Sequence, residues 1–218
     1  MRLLDLFCGA GGAAMGYSRA GFTEIVGVDN RPQKHYPFTF IQADALEYVA
    51  EHRMEFDAIH ASPPCQAYSV LRTFAGKHPK LIGAVRDSLL STGLPWVIEN
   101  VPGSPVLKPI TLCGTMFGEL GVKRHRLFEA SFPLETHLKC DHSVIRNPLR
   151  FKTLRHGKWY MSRFCPVYGG GGGKGAAGVK DWGPAMGIDW MANRAELSQA
   201  IPPAYTEFVG KQLLAAMR

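Results

Sequence analysis

Three features of the sequence predict an α/β protein built on an open, mostly parallel sheet. Short apolar runs alternate with helical or loop stretches through the first 130 residues, the rhythm of strands returned by crossover helices. The first run leads straight into a glycine-rich turn and then a helix, the usual entry to such a sheet. The 218 residues are 46% hydrophobic and only 20% charged, which supplies a core and argues against wholesale disorder.

Each element follows from its own pattern. Strands are predicted at Arg2–Phe7, Glu24–Val28, Phe38–Gln42, Phe56–Ala61, Pro95–Glu99 and His125–Glu129, where apolar and β-branched residues cluster between turn signals. Helices are predicted at Gly12–Ala20, Leu46–His52 and Lys80–Ser91, and again at Glu196–Ala200 and Tyr205–Met217, on either side of the Pro202-Pro203 break. The order of the strands in the sheet does not follow from this pattern.

After about Ser131 the composition changes. Between Lys139 and Arg163 seven cations (Lys139, Arg146, Arg150, Lys152, Arg155, Lys158, Arg163) face one acid, Asp141, with Phe151, Trp159, Tyr160 and Phe164 among them. The run Gly169–Gly173 is too permissive for a helix or a paired strand. We read a short basic insert followed by a helix returning to the main domain.

The formal charge of +7 and a pI near 9.3 favour a polyanionic partner. Five scattered cysteines suit a reducing compartment better than a disulfide framework. An acid inside the first apolar run, Asp5, argues against a signal peptide, and no apolar run is long enough to span a bilayer. The expected setting is cytoplasmic, with no membrane partner. His137, Cys140, His142 and Cys165 are zinc-competent residue types, but their spacing is irregular, so no metal is expected.

The chemistry-bearing residues fall at the predicted strand ends. Glycines after the first strand let a ligand approach the backbone, and Asp29, 24 residues beyond Asp5, can accept ribose hydroxyls. These features alone leave nicotinamide and S-adenosylmethionine enzymes both open. Pro63-Pro64 fix the backbone before Cys65, which places a thiol where a nucleophile sits in an open sheet. Glu99 and Asn100 end the next strand, and a carboxyl group beside a nucleophile can act as a proton donor. Arg124 and Arg126 alternate at the start of another strand, so they share a face. The segment Ala67–Ser91, with Arg72, Lys77, Lys80 and Arg86 and with Gly76 and Gly83 as hinges, is suited to close over a substrate.

In order and spacing these segments resemble the motifs of the cytosine-C5 methyltransferases. Asp5–Gly12 matches the cofactor motif, Pro63–Gln66 the Pro-Cys motif and Glu99-Asn100-Val101 the Glu-Asn-Val motif. Arg124–Arg126 matches the Arg-x-Arg motif, and Ile201-Pro202-Pro203-Ala204-Tyr205 the last cofactor motif. Five motifs in the right order make the likeness specific over about residues 1–130 and 185–218. The chain departs from the pattern at Val122, where glutamine is expected, and in the shortness of its recognition region.

The resemblance implies a Rossmann-like S-adenosylmethionine-dependent methyltransferase fold, with residues 1–130 and 186–218 catalytic and 131–185 a small basic target-recognition insert. It implies S-adenosylmethionine bound by Phe7, Cys8, Gly9, Gly11, Asp29, Asp44, Pro64, Ala204 and Tyr205. Phe7 would pack on the adenine, Asp29 hold the ribose and Asp44 meet the adenine amino group, while the segment around Tyr205 closes the pocket. Cys65 would be the nucleophile, Glu99 would engage cytosine N3 and Arg126 would contact O2, with Arg124 beside it. Asn100 would brace the site. Double-stranded DNA with a flipped-out cytosine is the implied substrate, contacted by Gln66, Ser69, Arg72, Arg150, Lys152 and Arg155. A bacterial or phage-infected cell with a cognate restriction enzyme is the implied setting. The alternatives are RNA, a free nucleotide or a modified cofactor on the same fold, or a silent DNA-binding homologue. The intact Cys65, Glu99 and Arg126 set argues against the last.

Overall fold

Strand β1 (Arg2–Leu6) lies at the centre of a seven-stranded sheet of order β3-β2-β1-β4-β5-β7-β6. Its partners are β2 (Glu24–Asp29) and β4 (Ala58–Ala61), both parallel to it. Beyond them β3 (Thr39–Gln42) and β5 (Trp96–Asn100) pair in parallel as well. Strand β7 (Arg126–Ala130) then runs antiparallel to both β5 and β6 (Ile110–Leu112). The computed structural model describes residues 1–65, 68, 80–143, 151–155, 158–162, 164, 165, 167 and 179–218.

The period of two along each strand sorts side chains to the two faces. Leu3, Ile25, Ala58 and Val97 enter one buried cluster, whereas Leu4, Leu6, Val26, Val28, Ile59 and Ile98 enter the other. Helix α1 (Gly12–Ala20) and the long α6 (Pro203–Ala216) cover the first face. Helices α2 (Ala45–His52) and α3 (Ile82–Thr92) cover the second through Val49, Val85 and Leu89. Coverage on both faces is why the parallel strands read as continuous apolar runs.

The predicted strands and helices are present with ends shifted by no more than two residues. Four elements lay below the sequence signal. Strand β6 is only three residues long. In the basic insert, β8 (Phe151–Arg155) and β9 (Lys158–Ser162) form a separate antiparallel hairpin. Helix α4 (Val179–Met186) straddles the expected end of the insert and buries Trp182, Ala185 and Met186 in the first-face core. Helix α5 (Arg194–Gln199) is capped by Asn193, whose side chain accepts the Glu196 N–H. Among the described residues no helix is long and apolar enough to cross a membrane.

Candidate active site

Strand order reverses between β1 and β4, and a ligand crevice is expected there, outside the carboxyl ends of the strands. The turn after β1 adopts left-handed backbone at Phe7 (φ 57°), Gly9 (φ 50°) and Gly11 (φ 81°). Glycine accepts this freely, but Phe7 holds it at a cost, the mark of a residue placed for function. A side chain at Gly11 would meet Pro37, whereas nothing lies within 4 Å of a Cβ built on Gly9. The turn is therefore packed behind and open in front.

Asp29, at the end of β2, accepts the Gly9 N–H at 3.1 Å on Oδ2 and the Arg31 N–H at 3.0 Å on Oδ1. Each oxygen keeps a lone pair for a ligand hydroxyl. Asp5 is fully buried, takes one bond from the Tyr36 hydroxyl at 3.2 Å, and leaves Oδ1 without a partner. Burial raises its pKa to about 8. A left-handed aromatic, an open glycine, a half-buried carboxylate and an orphaned buried oxygen fit an adenosyl cofactor. Trp190, which the sequence reading missed, closes the same turn by donating from Nε1 to the Ala10 carbonyl at 2.9 Å.

Cys65 follows β4 on the neighbouring edge. Asn100 donates from Nδ2 to the Pro63 carbonyl at 2.8 Å and accepts the Val101 N–H, so it braces the Pro-Cys turn. Burial pushes the Cys65 thiol up, and the positive field of Arg126 opposes that shift. Among the five cysteines, Cys8 and Cys165 are buried thiols raised still further by burial, which makes them poor nucleophiles.

Antiparallel pairing brings Arg126 to Glu99. Glu99 registers with Phe128, so Arg126 is its diagonal neighbour two residues along, on the same face. Arg126 Nε lies 2.8 Å from Glu99 Oε1, both side chains being nearly buried. The N–H is not aimed at that oxygen, which has no aligned donor. Burial raises the Glu99 carboxyl above its ordinary value, opposed by Arg126, Arg124 and a hydrogen bond from Ser62. Behind Ser62 runs a buried chain: Ser62 Oγ to His60 Nε2 at 2.8 Å, and His60 Nδ1 to the Tyr17 hydroxyl at 2.9 Å. Burial lowers the His60 pKa to about 3, so the ring is neutral. Of these, a histidine inside an apolar strand was the one visible signal in the sequence.

Several expected residues have other duties. Tyr205 does not line the cofactor crevice. Its ring is fully buried, stacked on Phe117 with centroids 5.2 Å apart, and its hydroxyl donates to the Arg124 carbonyl at 2.6 Å. In the same segment the backbone of Ile201 abuts Gly12, where a side chain would not fit. Ala204 is buried at the first turn of α6, and Pro64 is half-buried beside Cys65. Arg124 donates to the Ser198 carbonyl at 2.7 Å, so it ties α5 to the site, and its charge acts on both Cys65 and Glu99. Asp44 caps α2, accepting the Leu46 and Glu47 N–H groups on Oδ1 at 2.8 and 3.1 Å. Only its other oxygen remains for a ligand.

Arg86 forms a bidentate pair with Glu129 at 2.6 and 2.8 Å, so it is not a free cation over a substrate. Gly83 sits within the first turn of α3 and is no hinge. Gln66, Ser69, Arg72 and Arg150 lie outside the described residues, as do Gly76 and Lys77. Lys152 and Arg155 lie on strand β8. The four zinc-competent residues of the sequence do not assemble as a set. Cys140 and His142 cluster with Cys113 and His125. Cys165 is instead buried, 3.8 Å from the Asp181 carbonyl.

Residues 1–103 match the model of the C-5 cytosine-specific DNA methylases. The chain is 32% identical over 120 residues to the type II methyltransferase M.HgiGI of Herpetosiphon aurantiacus, covering 46% of this chain and 90% of that one. It is 35% identical over 82 residues to M.FnuDI of Fusobacterium nucleatum, covering 35% of this chain but only 24% of the relative's length. In fold it is similar to the Dnmt2 methyltransferase of S. pombe, with a TM-score of 0.64 over 99% of this chain and 98% of that one, at 13% identity.

Proposed function

The chain belongs to the C-5 cytosine-specific DNA methylase family, and from that premise we propose that it methylates cytosine at C5 in DNA, using S-adenosylmethionine and a covalent bond from Cys65. The observation that carries the reading is the placement of the buried Glu99–Arg126 pair in the electrostatic field of Cys65, at the edge where the Phe7–Gly12 turn opens.

Cytosine C5 is too weakly nucleophilic to be alkylated directly. The Cys65 thiolate adds to C6, breaking the aromatic system, and the charge that develops moves toward N3 and O2. Glu99, whose carboxyl is raised above its ordinary value by burial, donates a proton to N3 as general acid. Arg126 faces O2 and stabilises the negative charge there. When bound, S-adenosylmethionine supplies the electrophilic methyl group to the activated C5. Loss of the C5 proton to solvent base, cleavage of the Cys65–C6 bond to release the thiolate, and return of the N3 proton to Glu99 then restore the ring and the enzyme. Phe7 would stack on the adenine, Asp29 would take the ribose hydroxyls and the free oxygen of Asp44 would take the adenine amino group. The base must leave the helical stack to reach Cys65, at a cost of a few kcal/mol.

Residues 131–185 would read the target, with the hairpin β8–β9 and its cations against the phosphates. Gln66, Ser69 and Arg72 would act beside the flipped base. In a restriction–modification setting a cognate endonuclease would share the target. Bisulfite sequencing of DNA from bacteria expressing the chain tests the reading. Cytosines at a recurring sequence should resist conversion, and Cys65→Ser should abolish that protection. Unprotected DNA, or protection that survives in the serine variant, would overturn it.

A further inference from the structure

Strands β6 and β7 end side by side at the edge of the sheet, with Leu112 registered to Arg126. The next residues outward are Cys113 and His125, and the chain beyond β7 returns to the same place with Cys140 and His142. One ligand atom from each of these four lies within 4.8 Å of every other. The Sγ of Cys140 is 2.9 Å from His142 Nε2 and 3.3 Å from His125 Nε2, and Cys113 Sγ is 3.5 Å from His142 Nε2. Both cysteines are free thiols.

We propose that Cys113, His125, Cys140 and His142 form a structural zinc site that clamps the start of the recognition insert to the catalytic edge of the sheet. Zinc–sulfur bonds of about 2.3 Å and zinc–nitrogen bonds of about 2.0–2.1 Å set the edges of a tetrahedron at roughly 3.3–3.8 Å. Separations of 3.3 and 3.5 Å lie within that range and the 2.9 Å between Cys140 and His142 falls short of it, so modest side-chain rotations at these two exposed residues would bring the four donors to tetrahedral positions. Two thiolates and two imidazoles make a closed set with no open position for substrate, the pattern of structural zinc.

The surroundings are suited to it. The Thr115 hydroxyl lies 3.4 Å from Cys113 Sγ and 3.6 Å from Cys140 Sγ, where it can donate to coordinated thiolates. The consequence for the enzyme follows from position. His125 lies between Arg124 and Arg126, so a metal on its ring fixes the backbone that presents Arg126 to Glu99. Cys140 and His142 lie just before the basic hairpin, so the same metal sets where that hairpin begins.

The sequence offered His137 and Cys165 as ligands with Cys140 and His142, because spacing along the chain hides pairings made across a sheet edge. That difference supplies the control. Untagged full-length protein, purified from zinc-containing medium and dialysed against metal-free buffer, should retain about one zinc per chain by elemental analysis. Cobalt(II) exchanged into it should give the intense visible bands of a tetrahedral thiolate site. Cys140→Ser and His142→Ala alter exposed residues and should each lose the metal and the cobalt spectrum, while His137→Ala and Cys165→Ser keep both. The proposal is overturned if the parent protein neither retains nor takes up zinc. It is equally overturned if Cys140→Ser and His142→Ala bind zinc as the parent does, or if Cys113 and Cys140 are found joined in a disulfide. None of these readouts depends on methyl transfer.

Discussion

Glu99 and Cys65 need opposite protonation states, and their surroundings treat them alike. Burial raises both, which favours the carboxyl as an acid and disfavours the thiolate. Arg126 opposes both shifts. The rate should therefore fall at low pH, where Cys65 holds its proton, and fall again at high pH, where Glu99 loses its own. We expect a bell-shaped profile of kcat/KM. Glu99→Gln cannot transfer a proton, so it should lower the rate by about 10²–10⁴-fold and remove the alkaline limb. Steady-state methylation measured across pH checks both, and an alkaline limb retained by the glutamine variant would mean another group is the acid. Cys65, Glu99 and Asn100 were legible as candidates in the sequence, Glu99 and Asn100 because they end β5 and Cys65 because two prolines precede it after β4. Those of Tyr17, Ser62 and Tyr36 were not, since a hydroxyl announces its partner only when distant segments meet.

Helices α1 and α6 pack closely because Gly16 has no side chain. A methyl there would overlap the Thr206 hydroxyl and the Pro203 carbonyl, and Thr206 already bonds the Ala13 carbonyl at 2.9 Å. Gly16→Ala should destabilise the protein by about 1–3 kcal/mol through overpacking. Gly83→Ala, in α3 with nothing within 4 Å, should instead stabilise by about 0.4–1 kcal/mol. Urea denaturation of both variants checks the pair, and equal effects would contradict this packing. The main strands and helices were legible from period and caps. Strand β6 was too short to show a period, and the insert hairpin carries cations where a half-buried strand would alternate. Tyr205 misled because its motif marks the right segment, while the ring turns into the core and only the Ile201 backbone reaches the glycine turn.

Taken whole, the molecule joins a basic segment to a sheet that holds the nearly buried Glu99–Arg126 pair. Its net charge of +7 and the cations of the insert predict DNA binding that weakens steeply with salt. Replacing Arg150, Lys152 and Arg155 with alanine should reduce the slope of log K against log salt by about 2–3, near 0.9 for each lost phosphate contact. Affinity for S-adenosylmethionine should not change, and an unaltered slope would place the phosphate contacts elsewhere. The central claim is that Cys65 bonds to the base. Duplex DNA carrying 5-fluorocytosine, incubated with the protein and S-adenosylmethionine, measures this most directly, because fluorine at C5 cannot leave as a proton does. We expect an adduct that survives denaturing electrophoresis and maps by mass spectrometry to the peptide containing Cys65. An adduct at Cys8, Cys113, Cys140 or Cys165, or one still formed by Cys65→Ser, would contradict the account.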